Sequence, residues 1–452
     1  MSLLAADRQE VVNFGCRLNI AEGEAIRAAA REAGARDTIV FNSCAVTDEA
    51  VRQARQAVRR ALRERPEADV VVTGCAAELE AERFAAMGAR VVANDAKGLA
   101  ESYINTVSPP FDAACGGAQD KLPLRGSRGP ISGRFETALA EDGPPPSRGN
   151  TTSFSTSRPY SPALSGPDHA RAFLGVQTGC AHSCTFCATV LARGAARSAT
   201  IESALDAARI ALDRGQREII LTGVDLASYG DDSGTSLAAL VEALLALPIA
   251  RLRLSSLDPN RIDDALFALL TQEKRVMPHA HLSLQAGDDM ILTRMKRRHR
   301  RADAVRLTER LKAARPDIAI GADLIAGFPT EDDQMFANTM ALIDDCDIVF
   351  GHIFPYSPRA GTPAARMPQV GRATARTRAA LLREANARRR HAWMDAQAGR
   401  TAAMLVERDG LTGHAENFAP LTLTAPAEPG HMLPVRLTAR DGDRMIAERL
   451  GA

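Results

Sequence analysis

The chain has 452 residues, 45% of them apolar and 25% charged, with a formal net charge of +1. That length is too great for one hydrophobic core and predicts two to four domains. No run of about 18 apolar residues occurs, so a membrane-spanning helix is not expected. Near-neutral charge gives no general attraction to nucleic acid, so local clusters must supply any. Aromatic residues make up only 4%, too few to suggest broad base-stacking platforms. The first residues lack the long apolar core of a signal peptide. Eight cysteines in a large, unsecreted chain then read as metal or redox chemistry in a reducing cytoplasm.

Residues 10–100 repeat one pattern three times. An apolar, β-branched run ends in a cysteine and a helical stretch follows: Val11 to Cys16 before 19–33, Thr38 to Cys44 before 48–65, Val70 to Cys75 before 76–87. Strands alternating with helices predict a parallel sheet, whose strand ends share one edge where ligands bind. Cys16, Cys44 and Cys75 should therefore converge there, each at a helix start that favours an anionic sulfur. Single buried cysteines are common in cores, but three at the same place in three units predict a metal site.

Residues 106–168 change character, with Pro109-Pro110, Gly143-Pro144-Pro145-Pro146 and a Ser/Thr-rich stretch at 150–157. Little apolar periodicity survives, which predicts a linker or disordered insertion. Cys115 lies inside it and is read as incidental.

A second α/β series begins at Ala172. Its first strand runs into Gln177-Thr178-Gly179-Cys180-Ala181-His182-Ser183-Cys184-Thr185-Phe186-Cys187. Loops this short strain disulfides, so three cysteines suit one metal centre. A zinc knuckle would more often show two separated pairs, whereas a 4Fe–4S cluster held by three thiolates keeps one iron open. The spacing resembles the radical S-adenosylmethionine (SAM) superfamily. That resemblance implies an open iron that chelates SAM, and an aromatic before the third cysteine, here Phe186, near the cofactor's adenine.

Further strands are expected at 218–222, 252–256, 281–285, 318–325 and 348–356, with helices such as 201–214, 237–246 and 303–315 between them. Six such units predict a partial (β/α)6 barrel with its functional groups at the strand C-termini. Gly223, Asp225, Ser255, Gln285 and Asp323 gather near those ends and are assigned to SAM binding. Two basic runs follow, Arg294 to Arg301 and, spaced along a helix that ends near Trp393, Arg366 to Arg390. Each reads as a solvated helix face or as a phosphate-contacting surface. After Gly399, short alternating strands at 402–406, 421–424, 432–437 and 445–447 with Gly, Pro and Asp-Gly turns predict a small β-barrel.

The combination resembles the radical-SAM methylthiotransferase family over nearly the whole chain outside 106–168. The motifs that carry it are Gly15-Cys16-Arg17-Leu18-Asn19, Asn42-Ser43-Cys44-Ala45-Val46-Thr47, Thr73-Gly74-Cys75, Arg193-Gly194 with Arg197-Ser198, Gly327-Phe328-Pro329-Thr330-Glu331 and Phe354-Pro355-Tyr356-Ser357-Pro358-Arg359. Gly-Cys-Arg-Leu-Asn and Cys-Ala-Val-Thr look most like the branch acting on tRNA N6-threonylcarbamoyladenosine (MtaB type). Thr178 stands where the family usually has Asp.

The resemblance implies an α/β chain of four parts: an N-terminal domain over 1–105, the insertion 106–168, a radical SAM domain over 169–396 and an RNA-binding TRAM-like β-barrel over 397–452. It implies SAM and two 4Fe–4S clusters, one on Cys180, Cys184 and Cys187 for radical generation, the other on Cys16, Cys44 and Cys75 for sulfur. It further implies a tRNA anticodon arm as substrate, a flavodoxin- or ferredoxin-type electron donor, a sulfur source and no membrane. The expected reaction is methylthiolation of carbon 2 of N6-threonylcarbamoyladenosine at position 37. Alternatives are isopentenyladenosine in tRNA, a ribosomal-protein side chain, or a non-catalytic iron–sulfur protein that binds RNA or senses redox state.

Overall fold

A computed structural model describes residues 9–45, 47–104 and 160–451. The opening strands β1 (Gln9–Asn13), β2 (Thr38–Ser43), β3 (Asp69–Gly74) and β4 (Arg90–Val91) lie side by side in chain order and all parallel. The apolar runs of the central strands β2 and β3 are buried on both faces, as helices on each side demand. One face packs Ile39, Phe41, Val70 and Val72 under α2 (Asp48–Glu64). The other packs Val40 and Val71 under α1 (Arg17–Glu32). Thr47 starts α2 as its N-cap by accepting from Ala50 N–H at 3.1 Å. The single helix expected at 76–87 is two short ones, α3 (Cys75–Leu79) and α4 (Ala81–Ala85), because Glu80 leaves the helical region at φ −128.

The second series opens with β5 (Ala163–Leu164), antiparallel to β6 (Arg171–Gly175). Tyr160 and Ser165 are packed into this edge, so residues 160–168 belong to the folded unit rather than to the linker; the rest of the 106–168 stretch, Cys115 included, lies outside the described residues. The strands β7 (Gln177–Thr178) and β8 (Arg197–Ser198) pair antiparallel around the cysteine loop and the short helix α5 (Thr189–Arg193). Then come α6 (Ile201–Asp213), β9 (Glu218–Thr222), α7 (Leu237–Leu245), β10 (Arg251–Leu254), α8 (Asp264–Gln272), β11 (His279–Gln285), α9 (Asp289–Arg294), α10 (Arg301–Ala314), β12 (Ala319–Ala326), α11 (Asp333–Asp345), β13 (Ile348–Pro355) and α12 (Arg372–Asp395). Thr200, Ser236, Asp263 and Asp332 each cap the helix that follows.

Strands β6, β9 and β10 pair in parallel, as do β11, β12 and β13. Parallel bridges Leu252–Val276 and Leu257–Leu282 join the two sets. Six parallel strands in chain order, with helices outside, form the partial barrel that the alternation predicted. Its core lies between strands and helices, from Leu174 and Ile219 to Ile348 and Leu382.

The last five strands, β14 (Thr401–Val406), β15 (Thr412–His414), β16 (Pro420–Leu423), β17 (Met432–Asp441) and β18 (Arg444–Arg449), close on themselves in the order β14-β15-β16-β18-β17. Strand β15 is one more than the alternation suggested. This small barrel seals the N-terminal end of the larger one. Its Phe418 packs against His279 and Phe350, at centroid distances of 5.0 and 5.8 Å. Arg253 donates to the Glu416 and Ala415 carbonyls at 3.1 and 3.4 Å. Residues 9–104 and 160–451 thus fold as one compact unit. Among the described residues no helix is long and apolar enough to cross a membrane.

Candidate iron–sulfur and SAM site

Parallel strands deliver the first three cysteines to one edge. Cys16 follows β1, Cys44 follows β2, and Cys75 begins α3 directly after β3. A lattice of buried asparagines fixes the loops. Asn19 donates to the Phe14 and Ser43 carbonyls at 2.8 and 3.2 Å, and Asn42 donates to the Asn19 carbonyl at 2.9 Å. Gly15 sits at φ +90, and a Cβ there would lie 2.5 Å from Cys44 Sγ. The turn into Cys16 therefore passes directly over Cys44, which only glycine permits.

Donors aim at these sulfurs. Arg193 Nε lies 3.0 Å from Cys75 Sγ and Asn94 Nδ2 lies 3.9 Å from it. Arg193 also donates to Asn19 Oδ1 at 2.9 Å, to Thr178 Oγ1 at 3.2 Å and to Glu22 at 2.7 and 3.0 Å. Lys97 Nζ reaches the same Glu22 at 2.6 Å. Burial alone would raise the Glu22 carboxyl, but Arg193 and Lys97 outweigh it and hold it down at about 2. Arg193 comes from α5, immediately beyond the second cysteine loop, so one side chain ties the first triad to the segment that follows the second.

The second triad lies on one loop. His182 N–H points at Cys180 Sγ at 3.3 Å, and Thr189 N–H at Cys187 Sγ at 3.4 Å. Arg297 stands 3.6 Å from Cys184 Sγ and is itself anchored to Asp258 at 2.6 Å and to the Ser283 carbonyl at 2.8 Å. Asp225 Oδ2 lies 3.7 Å from Cys180 Sγ and 3.3 Å from His182 Nε2. Burial, reinforced by Asp225, pushes the Cys180 thiol up to about 12. Phe186 leans edge-on against Phe328, ring centroids 6.4 Å apart, and leaves an aromatic wall beside the loop.

The residues assigned to SAM divide into two groups. Gly223 lies against Gln177, whose Oε1 accepts from Asp225 N–H at 2.9 Å. Ser255 Oγ is buried without a hydrogen-bond partner. Gln285 ends β11 at φ 70, an uncommon conformation for a residue with a Cβ. Of these four, Asp225 touches Cys180 directly and Gly223 packs on Gln177 at the start of the cysteine loop. Asp323 does not join them. It lies deeper, mid-strand in β12, with Oδ1 3.0 Å from His281 Nε2 and 3.3 Å from His352 Nδ1. Burial would raise its carboxyl, but the two imidazoles outweigh that and hold it well below the ordinary range.

The basic runs are also partly internal. Arg294 donates to Thr330 Oγ1 at 2.7 Å, Arg378 pairs with the buried Glu331 at 2.9 Å, and Arg383 donates to the Ile353 carbonyl. With Arg297 they are committed to the fold, not to a phosphate surface. Cys346 is buried in the barrel core, away from both triads.

Two triads of free, mostly half-buried thiols, with N–H donors on Cys75 in the first and on all three sulfurs in the second, fit two iron–sulfur clusters. Comparison with known proteins decides the family. Residues 174–343 match the Radical SAM superfamily and residues 8–93 match Uncharacterized protein family UPF0004. A threonylcarbamoyladenosine tRNA methylthiotransferase MtaB of Rickettsia prowazekii is 38% identical over 92% of this chain and 91% of its own. The chain belongs to the radical-SAM methylthiotransferase family. An MtaB of Chlamydia pneumoniae is 30% identical over 97% of both chains. A tRNA-2-methylthio-N(6)-dimethylallyladenosine synthase of Cereibacter sphaeroides is 30% identical over 98% of both. As a member of this family the protein is a transferase that uses SAM and two 4Fe–4S clusters. Sequence reasoning missed Asn19, Glu22, Asn94, Lys97 and Arg297 as parts of the site. Asn19 and Arg193 stand in quoted motifs; for the other four no local signal exists.

Proposed function

We propose that this chain methylthiolates carbon 2 of N6-threonylcarbamoyladenosine next to the anticodon of tRNA, at position 37. The observation that carries the reading is the pair of cysteine triads joined through Arg193, in a chain similar at 38% identity to a protein named for that substrate. Carbon 2 of adenine has no leaving group and no acidic proton, so acid–base groups alone cannot exchange its hydrogen for sulfur. When bound, the clusters and SAM supply hydrogen abstraction from an unactivated carbon, the sulfur and the methyl group.

The chain's own residues do the rest. Cys180, Cys184 and Cys187 hold one cluster, with Arg297 and the His182 N–H group donating to the sulfurs. Cys16, Cys44 and Cys75 hold the other, with Arg193 and Asn94 as donors. Gly223, Asp225, Ser255 and Gln285 line the SAM position, and Phe186 walls it. Arg193 fixes the separation between the two centres, because it touches Cys75 and is rooted beside the other loop. The C-terminal barrel carries the anticodon arm, and the target base leaves its stack at a cost of a few kcal/mol. A flavodoxin- or ferredoxin-type protein supplies electrons, and a separate source replenishes the sulfur after each turnover.

The match to the dimethylallyladenosine enzyme keeps isopentenyladenosine as the second reading. Nucleoside mass spectrometry of tRNA from a deletion strain separates them. Loss of the 2-methylthio form of N6-threonylcarbamoyladenosine supports the proposal. Loss of the 2-methylthio isopentenyl nucleoside instead overturns it.

A further inference from the structure

Deeper in the large barrel than the cysteine loop, the inward-facing charges among the described residues are nearly all matched. Arg171 is held by Glu407, Arg253 by Glu218 at 3.1 Å, and Asp323 by His281 and His352. One cation has no such mate. Arg17, next in sequence to Cys16, enters the same chamber and places its guanidinium 5.5 Å from the centroid of the Phe418 ring. Its charged neighbours are Arg171, Arg253, Glu218 and Asp323, and both carboxylates are already engaged. Among the described residues Arg17 forms no hydrogen bond and no ion pair.

A guanidinium beside two other cations, with its nearest carboxylates already engaged by other partners, is costly to leave unpaired unless something anionic arrives. Guanidinium binds carboxylate through two parallel hydrogen bonds, which gives geometric selectivity as well as attraction. The chamber offers a second open polar group, the exposed imidazole of His352, which Asp323 holds in place. A threonylcarbamoyl substituent carries a free carboxylate and a hydroxyl. An isopentenyl substituent carries neither.

We infer that Arg17 reads the carboxylate of the threonylcarbamoyl group and so selects this nucleoside. The inference rests on the proposed function: the base is presented beside Cys16, and its N6 substituent extends into the chamber toward Arg17. The phenyl ring of Phe418 backs the guanidinium and keeps it extended. Arg17 is thus a specificity-determining residue at the join between the sulfur-bearing edge and the barrel lumen.

The test compares anticodon stem-loops carrying N6-threonylcarbamoyladenosine with the same stem-loops carrying its methyl ester, which lacks the negative charge. For the wild-type holoenzyme, kcat/KM for the acid should exceed that for the ester by tenfold or more. In Arg17→Gln the ratio should fall to about one, and Arg17→Lys should keep part of it. The ratio is internal to each variant, so partial loss of cluster cancels. If Arg17→Gln does not turn over, fluorescence anisotropy gives the same ratio as dissociation constants. An unchanged ratio in Arg17→Gln overturns the role of Arg17. Wild-type protein that accepts acid and ester equally overturns carboxylate recognition and leaves the proposed function standing. Wild-type protein inactive on both but active on an isopentenyladenosine stem-loop overturns the proposed function, and this inference with it.

Discussion

The two cysteine triads reach the same kind of site by opposite routes. Cys180, Cys184 and Cys187 come from one loop of eight residues, and local turns bring them together. Cys16, Cys44 and Cys75 come from three strands, and only a correctly registered parallel sheet brings them together. The first arrangement needs little of the protein to exist and much of it to be tuned, through Asp225, Asp258 and Arg297. The second cannot exist before its domain has folded. A contiguous loop gives a centre that survives damage elsewhere; a distributed one reports on the whole sheet.

The comparison breaks most completely when the cysteines go. Replacing Cys180, Cys184 and Cys187 by Ala should abolish both reductive cleavage of SAM and formation of thiolated nucleoside. Replacing Cys16, Cys44 and Cys75 should abolish the nucleoside product yet leave SAM cleavage measurable. Iron analysis of reconstituted protein should read about eight per chain, falling to about four in either variant, from four per cluster.

Single glycines should reproduce much of this. Gly15→Ala places a Cβ on Cys44 at φ +90, so about half of the iron should be lost while SAM cleavage persists. Gly179→Ala places a Cβ 1.9 Å from the Ala195 carbonyl oxygen, and SAM cleavage should be lost with the other half of the iron. Equal effects of the two on SAM cleavage would show that the triads are not independent.

Arg193→Ala removes the side chain that runs from the second loop's helix to Cys75. It leaves a buried Glu22 with Lys97 as its sole cation, so a destabilisation of about 3–5 kcal/mol is expected, read as a lowered melting temperature. Arg193→Lys keeps the charge but not the fork and should recover only part of that loss.

The smallest effect concerns acid. Burial would raise the Glu218 carboxyl, but Arg253 and its neighbours hold it at about 2, below the 4.5 of an ordinary glutamate. Its folded-state value is depressed, so its stabilisation is complete above pH 4.5 and is lost as the pH falls toward 2. By pH 3.5 about 1.4 kcal/mol should be gone, and Glu218→Gln should flatten that part of a denaturation profile. A wild-type profile without this slope would remove the paired carboxylate from beneath the barrel.

Much of this was legible in the sequence because it is written locally. The cysteine after each apolar run, the three cysteines of one short loop and the alternation of strand with helix are all short-range signals. What escaped depends on residues far apart in the chain. Arg193 meets Cys75 and Glu22 across 118 and 171 positions, and nothing around Glu22 marks it as other than a helix-face acid. Arg297 reads as part of a surface run because its partner Asp258 is 39 positions away. Asp323 sits in a polar strand end by sequence, yet the neighbouring strands supply His281 and His352 and claim it for the lumen. The break at Glu80 and the three-residue strand β15 are too short for periodicity to register.

The docking of Phe418 has a genetic consequence. The C-terminal barrel looks like an appended module that a late stop codon could remove and leave a smaller, weaker enzyme. Yet Phe418, Ala415 and Glu416 cover Arg253, His279 and Phe350, groups that the larger barrel cannot leave bare. A nonsense mutation after Gly399 would therefore behave as a folding lesion, cleared by proteolysis, rather than as a partial allele. Any insertion or fusion tolerated at this end of the chain must leave the 415–419 turn seated.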